Sequence, residues 1–239
     1  MGRTMTSGGS SSLACCSVFG FVISAVFVIL PTDRKLIFVM EGSVNKYSFV
    51  FQPDEAGIVL VDGLKRRLRA SLAELFPDKN KGWYPSCNSK AHVTICAFEA
   101  DGNKLTMAIE ALQETLVYER SQYVYFDHFA SFAGGAFYIA PTVHARSYLK
   151  DRARKVVQTL SEFDLIEISD EPHISIGRRL EPEQLEIAKE QLRSVDLSFM
   201  CKGVHVRQFK PDLGQYEIID FIQFGNLSKE NSGQLAFKF

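Results

Sequence analysis

From residue 41 onward the chain alternates between two kinds of hydrophobic pattern. Short runs of β-branched and aromatic residues are typical of strands, and apolar residues at intervals of three and four are typical of amphipathic helices. The strand patterns cover residues 47–51, 91–98, 123–132, 136–140, 173–176, 199–207 and 216–224. The helix patterns cover residues 61–75, 105–116, 149–163 and 182–192. Strands and helices interleaved in this order predict a mixed α+β fold.

The N-terminal forty residues do not follow this pattern. Residues 13–30 form a run of eighteen residues without a charge, which reaches the lower edge of the length of a membrane span. Three interpretations stay open: an over-extended start, with the working chain beginning near Met40; a single-pass membrane anchor; and a signal peptide or core helix. We predict a division into an extension, 1–40, and a domain, 41–239, for whose folding and catalysis the extension is dispensable.

Composition and charge narrow the class of protein. The 239 residues include 46% hydrophobic residues, which excludes a disordered chain and a multi-span membrane protein. The 27 basic and 28 acidic residues leave a net charge of -1, so an anionic ligand must be held by a local site. The five cysteines are scattered and form no CxxC pair, which argues against a disulfide framework or a zinc ribbon and favours the cytoplasm.

Two predicted strands carry the same short pattern of histidine, apolar residue, hydroxyl residue and apolar residue. The segments are HVTI, beginning at His92, and HISI, beginning at His173. Because residues i and i+2 of a strand share a face, His92 lies beside Thr94 and His173 beside Ser175. If the two lobes pack face to face, these four side chains converge on one cleft.

Two imidazoles and two hydroxyls suit the opening of a cyclic phosphodiester. Imidazole titrates near neutral pH, so one copy can take a proton from water while the other protonates the leaving oxygen. Hydroxyl groups can hold the non-bridging oxygens, on which charge grows in the transition state. Neither motif offers an adjacent Asp, Glu or Cys at ligand spacing, so we expect neither a metal nor a cofactor.

The two motifs resemble the paired HxTx and HxSx signatures of the 2H phosphoesterase superfamily, the group of 2'-5' RNA ligase-like and cyclic phosphodiesterase proteins. The resemblance covers roughly residues 45–225 and includes the order of the predicted elements. It implies two pseudo-symmetric lobes of antiparallel sheet plus helices around a central cleft. It also implies hydrolysis of cyclic or 2'-5' phosphodiester bonds in RNA ends or nucleotides, or the reverse ligation, and we expect a monomer.

The same resemblance implies roles for the four motif residues. His92 and His173 would be the acid/base pair, with His92 favoured as the acid, and Thr94 and Ser175 would hold the phosphate. The runner-up function is a non-catalytic RNA- or nucleotide-binding module on the same fold. The physiological substrate and the direction of the reaction, hydrolysis or ligation, stay open.

Three further side chains are weaker candidates. Arg178 follows the second motif and is predicted to reach a phosphate, with surface ion pairing as the alternative. Tyr84, next to Trp83 in the loop before the first motif, either stacks on a base or packs against the cleft wall. Cys96 is two residues beyond Thr94 and is predicted to share its face, as buried filler and not as a nucleophile.

Other polar residues have ordinary structural interpretations. His128 is predicted to be structural and His144 to be solvated, and His205 is predicted to share a strand face with Arg207. The basic side chains of the first helix are predicted to form a solvated face. These side chains are Lys65, Arg66, Arg67 and Arg69.

Overall fold

A computed structural model describes residues 43–78 and 82–227 of the chain. The predicted extension, including its apolar run, lies outside these residues, so the three interpretations of it and the division at residue 40 stay predictions. Within the described residues, no helix combines the length and the apolar character that a membrane crossing requires.

The elements follow the predicted order with two additions. The strands are β1 (Asn45–Phe51), β2 (Val93–Ala100), β3 (Gln122–Phe132), β4 (Ala136–Pro141), β5 (Leu165–Ile168), β6 (Ile174–Gly177), β7 (Leu197–Cys201), β8 (Gly203–Lys210) and β9 (Gln215–Gln223). The helices are α1 (Glu55–Leu75), α2 (Gly102–Leu116), α3 (Val143–Thr159) and α4 (Pro182–Gln191).

Helix starts are set by local capping. The Asp54 carboxylate accepts from the backbone N–H of Gly57 at 3.0 Å, and Asp101 accepts from the backbone N–H of Lys104 at 2.8 Å. Such caps satisfy backbone donors that the first turn of a helix leaves unpaired. Three helices therefore begin several residues before their first apolar repeat, which is why the predicted starts of α1, α2 and α3 were late.

All the strands join one antiparallel sheet in the order β7-β3-β4-β6-β2-β1-β8-β9, with β5 paired to β2. The order is symmetric about its centre: a pseudo-two-fold relation exchanges β2 with β6, and β1 with β4. We call β2, β1, β8 and β9 the first half and β6, β4, β3 and β7 the second half. They meet where Val93 pairs with Ile174. This is the predicted α+β fold of two pseudo-symmetric lobes.

The two additional features lie where the sequence pattern is weak. β5 has four residues, three of them exposed, so it shows no alternation. The single predicted strand at residues 199–207 is two strands, β7 and β8, separated at Lys202. β7 pairs with β3 and β8 pairs with β1, so the chain crosses from the second half to the first at this residue.

The core and the cleft lie on opposite faces of the sheet. Val93, Ile95, Ile174 and Ile176 are buried in the apolar core with the helices, as predicted from strand parity. The motif residues between them therefore point away from the core.

A tight turn completes the wall beside the second motif. Gly135 is the last residue of the turn between β3 and β4 and has a φ of +78. A Cβ there would lie 2.1 Å from the backbone oxygen of Leu180. Its own carbonyl accepts from the Leu180 N–H at 2.9 Å. Glycine is required here both by the backbone conformation and by the close approach of the chain.

Candidate functional site

A cleft of about 1170 Å³ opens on the face of the sheet opposite the core. His92 and Thr94 from the first half line it, and so do His173 and Ser175 from the second half. The structure thus brings the four predicted motif side chains to one cavity.

The register across the centre of the sheet arranges these four side chains as a square. Val93 pairs with Ile174 in antiparallel fashion. Continuing this register by one residue in each direction sets His92 across from Ser175 and Thr94 across from His173. Directly opposed residues have their Cβ atoms about 4.5–5.5 Å apart. By this extension of the register, each imidazole would be next to the hydroxyl of the other motif, with His92 and His173 just before the first residues of β2 and β6.

Both imidazoles are oriented by the same local hydrogen bond. The Nδ1 of His92 lies 2.7 Å from the carbonyl oxygen of Lys90, and that of His173 lies 2.8 Å from the carbonyl oxygen of Glu171. A carbonyl only accepts, so Nδ1 carries the proton in each ring. Nε2 is therefore the ring nitrogen that lacks a proton in each neutral ring and can accept one.

The protein's own charges and burial keep both rings neutral at pH 7. Burial lowers the pKa of His92 to about 3, and the positive charges of Arg207 and Lys65 act in the same direction. Burial also lowers the pKa of His173, with Arg178 adding to the effect. The positive surroundings that disfavour an imidazolium also favour an anionic ligand.

The carbonyl that orients His92 belongs to a loop held by Lys65. The Lys65 side chain is 2% exposed, and its Nζ donates to the carbonyl oxygens of Ser86 and Ser89 at 3.1 and 2.6 Å and to the Ser89 hydroxyl at 2.9 Å. Burial lowers the pKa of Lys65 to about 8. The prediction that this residue belongs to a solvated face was wrong: it shares the buried stripe of α1 with Val61 and Leu68. The helical spacing of Lys65 from Val61 and Leu68 in the sequence already placed it on the buried face.

The carbonyl that orients His173 is supported from the surface. The Glu171 carboxylate pairs with Arg146 and with Lys150 of α3, each at 2.7 Å. Hydrogen bonds from these two side chains lower the pKa of Glu171 to about 2. A helix thus supports each histidine through the chain segment before its strand, by different chemistry in the two halves.

The two remaining predicted site residues have different surroundings. Arg178 is exposed, lines the cleft, and is close enough to His173 to act on its pKa. Tyr84 lies at the cleft wall but is 1% exposed, and its hydroxyl donates to the backbone oxygen of Lys65 at 3.2 Å. Its ring is therefore part of the core, which is the packing alternative. Its neighbour Trp83 is 47% exposed and also lines the cleft, so it has the accessible ring.

Cys96 does not share the face of His92 and Thr94. Phe49 pairs with Cys96 and the next residue of β1, Val50, pairs with Thr94, which leaves Ile95 as a bulge in β2. The bulge reverses the alternation, so that Cys96 is buried in the core and Ala97 lines the cleft. Burial raises the pKa of the Cys96 thiol to about 12, as expected for a packing residue.

The other histidines lie away from the square. His128 is exposed, with its Nδ1 2.7 Å from the Asp127 carboxylate, and is not among the residues that line the cleft. His144 is exposed, as predicted, with Gln122 at 2.9 Å. His205 lies on β8, where burial and Arg207 lower its pKa to about 4.

The cleft is also lined by polar side chains that lie outside the two motifs and were not predicted to be site residues. Ser48 and Arg207 lie on paired strands of the first half, and the Arg207 Nη2 donates to the Ser48 hydroxyl at 3.0 Å. Strand parity placed Arg207 beside His205 but could not show which face met the cleft, because β8 is joined to β2 only through β1.

An aromatic pair lies beside the second histidine. The rings of Phe132 and Tyr138 stack with centroids 4.2 Å apart, and both contact the His173 ring, at 5.4 and 5.1 Å. Phe132 is 38% exposed. An exposed aromatic face at this position can take a nucleobase.

The sequence of the chain also matches a known protein family. The sequence profile of the 2'-5' RNA ligase superfamily matches residues 66–212, more than half of the chain, including both motifs. This chain belongs to the 2'-5' RNA ligase superfamily.

Solved structures share the fold of this superfamily member. Escherichia coli LigT in complex with 3'-AMP matches with a TM-score of 0.53 at 10% identity, over 76% of this chain and 99% of LigT. LigT in complex with NADP+ gives 0.51 at 12% identity, over 77% and 99%. Protein TT0787 of Thermus thermophilus gives 0.51 at 15% identity, over 75% and 98%. None of the curated proteins matches the chain. The LigT-like 2H phosphoesterase fold is therefore the fold of this chain.

Proposed function

We propose that the protein is a metal-independent phosphodiesterase acting on cyclic or 2'-5' phosphodiester bonds of RNA ends or nucleotides. The observation that carries the proposal is the pair of imidazoles at the start of two neighbouring strands. In each ring Nδ1 is hydrogen-bonded to the backbone carbonyl two residues earlier in the chain. This arrangement leaves two Nε2 atoms for two proton transfers at one phosphate.

The hydrolysis of a cyclic phosphodiester would use the two rings in opposite roles. His173 accepts a proton from water as the water oxygen bonds to phosphorus, and His92 donates a proton to the ribose oxygen as the phosphorus–oxygen bond breaks. The product is a phosphate monoester with a free hydroxyl. Proton exchange with solvent then restores both rings.

Burial and the positive charges in the cleft determine when His92 can act as an acid. With a pKa of about 3, its Nε2 carries no proton to donate at pH 7. The negative charge of a bound phosphodiester opposes the positive field of Arg207 and Lys65, so its binding raises the pKa of His92. His92 therefore takes up its proton together with the substrate, in the same way that other acid/base groups depend on nearby charge.

Hydroxyls and cations surround the place where the phosphate would sit. Thr94 and Ser175 line the same cavity as the two imidazoles and would hold the non-bridging oxygens. Arg178 lines the same cavity and supplies a guanidinium, whose planar geometry suits phosphate. Trp83 and Phe132 offer exposed rings for a base, and LigT, which shares the fold, has been crystallised with 3'-AMP and NADP+.

Groups that would bind a metal are not part of this proposal. Across residues 43–78 and 82–227, no three His, Cys, Asp or Glu side chains cluster as a metal site would require. The proposed roles of the imidazoles need only proton transfer and hydrogen bonding.

The test is incubation of the full chain with a panel of phosphodiesters in the presence of EDTA. The panel contains 2',3'-cyclic nucleotides, 2'-5'-linked oligoadenylate, RNA with a 2',3'-cyclic end and, as the matched control, 3'-5'-linked oligoadenylate. We expect cleavage of at least one of the first three. Binding without cleavage would favour the non-catalytic module, and activity that requires an added divalent metal would overturn the metal-free mechanism.

A further inference from the structure

Arg207 is a buried cation without a carboxylate partner. It is 7% exposed, and among the described residues no acidic side chain lies within ion-pairing distance of it. Its Nη2 donates to the Ser48 hydroxyl at 3.0 Å, and its guanidinium lies 5.0 Å from the centre of the Tyr216 ring. Within the same part of the chain its Nε has no hydrogen-bond acceptor.

Such an arrangement is costly unless an anion completes it. Burying a guanidinium is unfavourable unless its charge is paired and its N–H groups are hydrogen-bonded, and a neutral hydroxyl and a ring face compensate only part of that cost. Arg207, Ser48 and Tyr216 all line the cleft, so a ligand there can supply the missing acceptor. Burial lowers the pKa of Arg207 to about 10, with Tyr216 and Glu167 opposing the effect. Glu167 and Glu217 line the cleft too, but among the described residues neither forms an ion pair with Arg207.

This cation is separate from the square of motif residues. Ser48 pairs with Ala97 of β2 on one side and with Arg207 of β8 on the other. The Arg207 backbone therefore lies two strand spacings, roughly 10 Å, from β2, and its charge is close enough to His92 to act on the pKa of that ring. Along β2 the pairing position is Ala97, three residues beyond Thr94. A single phosphate held by His92, Thr94, His173 and Ser175 would leave Arg207 beside another part of the same ligand.

We propose that Arg207, Ser48 and Tyr216 form a second phosphate subsite, so that the preferred substrates carry a phosphate beyond the one that is cleaved. The inference rests on the proposed function for the identity of the first phosphate. The aromatic pair at His173 lies in the second half of the sheet and Arg207 in the first. A nucleotide whose base lies against Phe132 and whose first phosphate lies at the motif residues would thus have its second phosphate on the side of Arg207.

Equilibrium binding tests the subsite without requiring turnover. The probes are adenosine 2'-monophosphate and adenosine 2',5'-bisphosphate, titrated calorimetrically into the full chain. A charge-assisted contact predicts that the bisphosphate binds about 10-fold more tightly. Arg207→Met should reduce this preference to about one, whereas Arg66→Met, an exposed arginine of α1 outside the cleft, should retain it.

Two results would overturn the subsite. Equal affinities of the two probes for the natural sequence would show that Arg207 meets no second phosphate. An equal loss of affinity for both probes in Arg207→Met would show that the guanidinium holds the first phosphate instead. If Arg207→Met does not fold, Ser48→Ala replaces it, because it removes the hydroxyl that holds the guanidinium. Its preference should fall below that of the natural sequence, and an unchanged preference would count against the subsite.

Turnover separates this inference from the proposed function. Cleavage of adenosine 2',3'-cyclic phosphate, which has one phosphate, tests the phosphodiesterase alone. Cleavage with no bisphosphate preference refutes the second subsite and leaves the enzyme. A bisphosphate preference without cleavage of any phosphodiester refutes the enzyme and leaves the subsite.

Discussion

The two halves of the sheet present their histidines identically but support them differently. In both, the Nδ1 of the ring donates to the carbonyl two residues earlier, at 2.7 Å for His92 and 2.8 Å for His173. In the first half the preceding loop is tied to a buried cation, Lys65, whereas in the second half it is tied to a half-exposed ion pair at Glu171. The ring geometry is thus what the two halves share, and the means of holding it is not.

The environments of the rings differ as well. Burial lowers the pKa of His92 to about 3, and the charges of Arg207 and Lys65 add to the effect. Burial also lowers the pKa of His173, with a smaller effect from Arg178, and the ring of His173 contacts aromatic rings. Two buried cations, Lys65 and Arg207, therefore act on His92, whereas His173 has aromatic contacts. Under the proposed function, this asymmetry would set phosphate charge nearer to His92 and a base nearer to His173.

Removing either imidazole should have the largest effect on activity. His92→Ala and His173→Ala should each reduce turnover of a cyclic phosphodiester by about 10²-fold or more, because each removes one proton transfer. His144→Ala is the matched control, since this histidine is exposed and bonded to Gln122. Steady-state kinetics with melting curves measures both effects. A folded His92→Ala variant with near-normal turnover would break the equivalence of the two halves.

Removing the support of each ring should distinguish the halves. Lys65→Met frees the Ser86 and Ser89 carbonyls, and through the loop the Lys90 carbonyl, so His92 loses its orientation and kcat/KM should fall about 10-fold. Glu171→Gln weakens an exposed ion pair, so its effect should be smaller, about twofold. Kinetics and the NMR signal of each ring's Nδ1–H measure this, with Arg66→Met as control. Equal losses of kcat/KM in the two variants would mean that the buried lysine orients its histidine no more strongly than the ion pairs of Glu171 orient theirs.

Removing the hydroxyls should have a moderate effect in both halves. Thr94→Ala and Ser175→Ala each delete one of several contacts with the phosphate, which is worth about three- to tenfold in rate. Thr94→Ser and Ser175→Thr retain the hydroxyl and should retain most of the activity. Because the square makes the two hydroxyls equivalent, a large effect of one alanine variant and none of the other would contradict the square.

Acid should destabilise the protein mainly through the first half. His92 and His205 have folded pKa values of about 3 and 4, below the unfolded value of about 6.5. Between these values the unfolded chain binds more protons, so stability falls as pH drops below 6.5, by about 1–2 kcal/mol per ring at pH 5. Urea unfolding at pH 7 and 5 measures the loss. His205→Gln should lose less stability between these pH values than the natural sequence, and an unchanged loss would refute the role of His205.

The alternation of residues along a strand was sufficient to predict which face of the sheet the motif side chains occupy, and the same holds for most of the other strand residues. A strand in which His92 and Thr94 alternate with buried apolar residues has one possible orientation, and the same holds for His173 and Ser175. Parity failed at Cys96, because a bulge at Ile95 reverses it and a bulge leaves no signature in the pattern of apolar residues.

The supporting residues were harder to predict. Lys65 falls on the buried stripe of α1, but a lysine is seldom buried, so its charge outweighed its spacing in the prediction. Arg207 depends on strands that are far apart in sequence, Ser48 of β1 and β8 itself, and the crossover at Lys202 hides that pairing. Long-range pairing is a property of the fold that local patterns do not contain.

The central claim is that both imidazoles face one phosphate through Nε2. The most direct measurement is an NMR pH titration of the histidine ring nitrogens in the full chain, with and without adenosine 2'-monophosphate. We predict the Nδ1–H form for His92 and His173 in the free protein, and a rise in both pKa values on adding the nucleotide, with His144 unchanged. A shift confined to one of the two rings, or an Nε2–H form in either, would contradict the claim.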